Sequence, residues 1–177
     1  MCMSQQDIGG FVKKIGIVMG SDSDLPIIEK AINYLQEIGA EFTVNVYSAH
    51  RTPDEAIEFA RTAKENGYGV IIGAAGMAAH LAGVLAANTT LPVIGIPCKS
   101  KAFDGMDALL STVMMPPGIP VATVGVDGAK NAAILACEIL AVSDEDLAAK
   151  LLAQREANTA AIIAKNTKIT AQYSTGN

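Results

Sequence analysis

Five short stretches of this chain gather the residue types that can do chemistry. They are Gly20-Ser21-Asp22-Ser23-Asp24, Ser48-Ala49-His50-Arg51, Gly73-Ala74-Ala75-Gly76-Met77-Ala78-Ala79-His80, Pro97-Cys98-Lys99-Ser100, and the segment that begins at Val126. Both of the chain's histidines fall among them. Histidine exchanges a proton near neutral pH more readily than any other side chain, so His50 is a candidate proton carrier. Its neighbour Arg51 offers a planar donor fork suited to phosphate or carboxylate. The Gly20–Asp24 stretch pairs small residues with N–H groups at a helix start, which favours an anion. Ser21 and the backbone there suit a phosphate, and Asp24 suits the hydroxyls of a ribose.

Each residue also has a plainer reading. Ser23 or Asp24 could simply cap the helix that follows. Arg51 could be an exposed ion-pair partner of little energetic weight. His50 could be a polar loop residue, and His80, on an apolar helix, a satisfied buried histidine. The glycines and alanines of 73–80 could cradle a ligand with backbone or could serve close helix packing. Cys2, Cys98 and Cys137 show no paired or metal-like spacing, which reads as reduced, mostly buried thiols. Cys98 follows a strand, so it carries a minority reading as a nucleophile. GxGxxG, GxxxxGK[ST] and HExxH are all missing, so dinucleotide, P-loop and zinc-protease sites have no support.

These stretches share one placement. Each follows an apolar run that reads as a strand, and ligands of open parallel sheets bind beyond the strands' carboxyl ends. The expected strands are 14–19, 41–48, 68–75, 91–97 and 119–126. Between them lie helices: one with its apolar stripe at Ile28, Ala31, Ile32, Leu35 and Ile38, ending at Gly39. A second starts at Thr52-Pro53-Asp54-Glu55, which has the form of a capping box, and ends near Asn66-Gly67. The third is expected from Gly76 to about Asn88. A short helix before Met115, another over 128–141, and a last one capped by Ser143-Asp144-Glu145-Asp146 and running to about Lys165 complete the order. Strand runs too continuously apolar for a half-solvated sheet imply helices on both faces. The expectation is one doubly wound domain over 12–165, with tails at 1–11 and 166–177, the second able to dock on a neighbouring subunit.

Composition narrows the partners. With 13 basic against 18 acidic residues and a net charge of -5, a broad nucleic-acid face is unsupported. Residues 1–11 lack the basic and apolar regions of a signal peptide, and no run approaches a membrane span, which predicts a cytoplasmic location. The stretches 77–88 and 131–142 are apolar nearly all round, which predicts subunit contacts in a symmetric homo-oligomer.

The motifs MGSDSD at 19–24, SAHRTP at 48–53, GAAGMAAHLAG at 73–83, LPVIGIP at 91–97 and GIPVATV at 118–124 resemble, in order and spacing, the class I PurE family. The resemblance covers about residues 14–165. It implies a flavodoxin-like three-layer α/β/α sandwich with a parallel sheet, assembled as a homo-octamer. It implies N5-carboxyaminoimidazole ribonucleotide mutase activity in purine biosynthesis, without metal, nucleotide cofactor or biotin. Carried over by motif, His50 transfers the proton. Ser21, Asp24, Ser48 and Arg51 bind the nucleotide, with Asp24 at the ribose and Ser21 and Arg51 at the phosphate. Gly76, Met77, Ala78 and His80 line the base and carboxylate end. Two departures stand out: Ala82 where the family often has Pro, and Met114 where it often has Gln. Two alternatives remain open: direct carboxylation of aminoimidazole ribonucleotide with CO2, and a flavin-binding carrier on the same sheet, which would need ring-flanking aromatics such as Tyr47 and Phe103.

Overall fold

The computed structural model describes residues 13–174. Five parallel strands form one sheet in the order β2-β1-β3-β4-β5. They are β1 (Lys14–Met19), β2 (Phe42–Val46), β3 (Tyr68–Gly76), β4 (Val93–Cys98) and β5 (Ala122–Thr123). Helices α1 (Leu25–Ile38) and α5 (Ala129–Ala141) cover one face, and α6 (Glu145–Tyr173) packs on α5. On the other face lie α2 (Pro53–Thr62), α3 (Leu81–Ala87) and α4 (Met106–Val113). Successive strand residues point to opposite faces. Ile15, Ile17 and Met19 therefore enter the core under α1 and α5, while Val18 enters the core under α2 and α3. Order 2-1-3-4-5 is the flavodoxin-like arrangement, and its chain direction switches between β1 and β3, where such sheets open a crevice. No described helix is long and apolar enough to cross a membrane.

Much of this follows the sequence reading. β1 has the expected bounds, and α1 stops at Gly39, whose φ of 74° is the left-handed conformation that ends helices. Asp144 caps α6, its Oδ1 accepting the Leu147 N–H at 3.0 Å.

Four differences have physical causes. Gly76 does not begin a helix: it pairs with Cys98 as the last residue of β3, and α3 starts only at Leu81. The Thr52 capping box does not form, because the Thr52 hydroxyl accepts the Ser48 N–H at 2.8 Å and so is committed to the preceding turn. β5 keeps two paired residues of the expected eight, being an edge strand between Pro120 and Gly125. α6 continues to Tyr173, since 166–173 holds neither Gly nor Pro to stop it. α5 packs against the sheet, α1 and α6 of the same chain, and α3 against α2, β3 and β4, while Ile134, Leu135 and Ile139 of α5 are only partly buried and Met77 and Val142 are exposed. The expected tail at 1–11 and residue Cys2 lie outside the described residues.

Candidate active site

At the switch point, the ends of β1 and β3 are tied by Gly20 N–H donating to the Ala74 carbonyl at 3.0 Å. Ser21 follows in extended conformation and caps a 3-10 turn over Asp22–Asp24, its Oγ accepting from Ser23 N–H at 3.3 Å and Ser23 Oγ–H at 2.9 Å. Asp24 precedes α1 but makes no side-chain cap bond, so the plain capping reading does not hold for it. Its carboxylate is left half-buried and available to a ligand. Burial pushes the Asp24 carboxyl above the ordinary carboxylate range, partly countered by a backbone hydrogen bond from Ser21, while the charge of Asp22 adds to the rise.

A raised native pKa has a stability consequence. Between its unfolded and native pKa values the folded chain binds more protons at Asp24, so stability falls as pH rises through that window. Above it, the ionised carboxylate remains a fixed cost. Asp24→Asn is therefore expected to raise the thermal midpoint at pH 7, with the gain shrinking as pH falls to where aspartic acids protonate. Calorimetry across that pH range checks the sign, and a gain that grows on acidification would contradict it.

After β2, one hydroxyl organises the next turn. Ser48 Oγ accepts from His50 N–H at 3.4 Å, Arg51 N–H at 3.2 Å and Arg51 Nε at 3.4 Å. Arg51 Nη2 donates to the Gly20 carbonyl at 3.0 Å, which spans the loops after β1 and β2. The guanidinium is thus aimed at the Gly20–Asp24 stretch rather than at a surface carboxylate, against its plain ion-pair reading. Ser48, expected to bind nucleotide, is seen first as the residue that orients Arg51.

Beyond β3 the backbone is tight. A side chain at Gly76 would place Cβ 3.2 Å from the Cys98 carbonyl oxygen, so glycine permits the close approach of β3 and β4. Met77 has φ of 56°, and Ala79 and His80 donate to the carbonyls of Met77 and Ala78 at 2.9 and 2.8 Å. Among the described residues the non-glycine positive-φ positions are Met77, Asp104 and Asp127, in the loops after β3, β4 and β5. Such strain collects where ligands are held. His80 is exposed at the start of α3, not buried as its apolar context suggested. Its Nδ1 lies 2.8 Å from His50 Nε2, with the rings edge to face at 76°.

The fourth and fifth stretches close the edge. Asp127, which the sequence did not single out, accepts the Lys99 N–H at 2.8 Å and donates its own N–H to the Pro97 carbonyl at 2.9 Å. A polar residue at positive φ was the signal, and it becomes visible only in the structure. Burial pushes the Cys98 thiol up to about 12, helped by Asp24 and Asp127, which removes its nucleophile reading. Burial raises Cys137 to about 11, with Glu138 adding. Tyr47 packs on Phe59 at 5.9 Å beside the edge strand, while Phe103 is exposed after β4. Two strands separate them, about 14 Å at ordinary strand spacing. They form no sandwich for a flavin ring.

Beyond the carboxyl ends of β1, β2 and β3, Arg51 thus joins the second loop to Gly20, and the His50–His80 contact joins the second loop to the third. The molecule is a flavodoxin-like α/β protein. The chain belongs to the AIR carboxylase family, whose model matches residues 14–161. The N5-carboxyaminoimidazole ribonucleotide mutase of Pyrococcus abyssi is 59% identical over 143 residues, 81% of this chain and 82% of that protein. The mutase of the same name from Bacillus subtilis is 55% identical over 144 residues, 80% of this chain and 89% of that protein. The crystal structure of Treponema denticola PurE is similar at a TM-score of 0.79 and 31% identity, covering 88% of this chain and 98% of that one.

Proposed function

We propose that the chain is an N5-carboxyaminoimidazole ribonucleotide mutase acting in purine biosynthesis, in the cytoplasm. The observation that carries this reading is that Arg51 reaches from the loop after β2 to Gly20 while His50, in the same loop, meets His80 from the loop after β3. Relatives of that name at 59% and 55% identity support it.

In this reading Arg51 and Ser21 hold the phosphate and Asp24 accepts from the ribose hydroxyls. Gly76, Met77, Ala78 and His80 line the base. The carbamate C–N bond then breaks, its electron pair returns to the exocyclic nitrogen, and His50 supplies the proton that nitrogen takes. Carbon dioxide stays beside the ring against the Gly- and Ala-rich backbone of 73–83. The electron-rich C4 carbon forms the new C–C bond, and His50 removes the C4 proton, whose electron pair restores aromaticity. One proton leaves His50 and one returns, so the turnover is proton-neutral and needs no outside acid or base. Trapping requires exclusion of water.

Within one chain the site is open: His50, Arg51, Met77, Ala78 and His80 are all exposed. Apolar side chains are uncovered too, as a stripe of Met106, Leu110, Val113 and Met114 on and just after α4, and as Leu152, Ile162, Ile163, Ile169 and Tyr173 on α6. Assembly into a homo-octamer gives both a cover. Sedimentation equilibrium is expected to return eight chains, and a stable single chain at working concentration would remove this part of the account.

The test of function is turnover. Supplied with N5-carboxyaminoimidazole ribonucleotide alone, without ATP, metal or bicarbonate, the protein is expected to form the C4-carboxylated product. Product formed only from aminoimidazole ribonucleotide plus bicarbonate would replace the mutase by a carboxylase.

A further inference from the structure

The histidine pair carries an inference that rests on the function proposed above but concerns how His50 is made to work. A nitrogen-to-nitrogen distance of 2.8 Å is a hydrogen bond, and it requires one ring nitrogen to carry a proton and the other to be bare. His50 Nε2 and His80 Nδ1 are thereby committed to each other. Only Nδ1 of His50 remains to exchange a proton with a ligand.

The direction of that bond follows from the cycle. When His50 is an imidazolium, both of its nitrogens carry protons, so its Nε2–H must donate and His80 Nδ1 must accept. After His50 gives its Nδ1 proton to the exocyclic nitrogen, the neutral ring keeps Nε2–H, and the same bond persists unchanged. When Nδ1 takes the C4 proton, the imidazolium is restored. No proton crosses between the rings, and His80 stays neutral with its own proton on Nε2.

We propose that His80 is the positioning residue of His50: a neutral acceptor that fixes the Nε2–H tautomer and so keeps Nδ1 as the exchanging atom through both halves of the turnover. The choice of imidazole has a physical reason. A carboxylate partner would also fix the tautomer, but its charge would hold the imidazolium and repel the carboxylated substrate. His50 must give its proton as readily as it takes one back, and a neutral acceptor biases neither direction. The Met77 and Ala78 carbonyls that accept from Ala79 and His80 N–H set the entry of α3 and with it the place of the His80 ring.

Two variants and one spectrum test this. In His80→Asn the amide oxygen takes the place of Nδ1 as an acceptor, whereas His80→Phe keeps a ring and removes the acceptor. His80→Phe is expected to lower kcat by about 100-fold with KM nearly unchanged, and His80→Asn to recover most of that loss. The chain has two histidines, so nitrogen-15 labelling of histidine gives two assignable rings. His50 in the native assembly is expected to show the Nε2–H tautomer, and in His80→Phe a mixture. A native His50 carrying its proton on Nδ1 overturns the proposal, whatever the variants do. So does a His80→Phe enzyme that loses only KM, which would make His80 a plain substrate contact, or a His80→Asn enzyme as slow as His80→Phe. Absence of mutase turnover in the native protein would instead fail the function, leaving the tautomer to be read from the spectrum alone.

Discussion

Replacing His50 by Asn is expected to cut kcat by about 10²- to 10⁴-fold while KM for the ribonucleotide stays within a few-fold, the range in which a positioned proton-transfer group contributes. The separation of the two constants follows from the architecture. In the proposed binding mode the substrate is gripped at the Gly20–Asp24 stretch and by Arg51, which hangs on the Gly20 carbonyl and Ser48 and not on His50. His50 touches that grip only through its backbone N–H to Ser48, which Asn retains. What Asn loses is the ring to which the proposed mechanism assigns both proton transfers. Steady-state kinetics with a direct binding measurement check this. A variant with native kcat would move proton transfer to another group, and His80 would be the first to examine.

Removing the Arg51 side chain works at the other end. Arg51→Ala is expected to raise KM about 10- to 100-fold, the loss of one or two charge-assisted hydrogen bonds to an anion, with a much smaller effect on kcat. Arg51→Lys is expected to recover part of the loss, because a point charge can reach the phosphate. It cannot also hold the Gly20 carbonyl and Ser48 Oγ as the planar guanidinium does. Inhibition by inorganic phosphate should weaken in step with KM in both variants. If kcat fell while KM held, Arg51 would belong to the reacting end and the orientation of the nucleotide in the crevice would have to be reversed.

The candidate residues are legible as a set because a single rule, ligands beyond the carboxyl ends of parallel strands, collects them. β1 was legible to the residue since it is buried on both faces, and buried strands read as unbroken apolar runs. Meeting of side chains was not legible. His50 and His80 are 30 positions apart, and their contact depends on the register of β1 against both β2 and β3, which no spacing in the sequence encodes. The same holds for Thr52: its pattern fits a helix cap, but the hydroxyl serves Ser48 because the turn brings that N–H closer. The two charge-poor stretches are only partly spent inside the chain: α5 leaves Ile134, Leu135 and Ile139 partly buried, and Met77 and Val142 stand exposed. Exposed apolar side chains also lie on α4 and α6, whose apolar positions are diluted among polar ones. Periodicity reports how much apolar surface a helix has, not which neighbour receives it.

The central claim is that the carboxylate moves within one enclosed site, from nitrogen to C4, without mixing with dissolved CO2. The most direct measurement is a single turnover of substrate labelled with carbon-13 in the carbamate carboxyl, run in buffer equilibrated with unlabelled bicarbonate. Retention of the label in the C4 carboxylate of the product is the predicted result. Product carrying the isotope ratio of the buffer would contradict the account, since it would mean that CO2 is released and a new molecule captured.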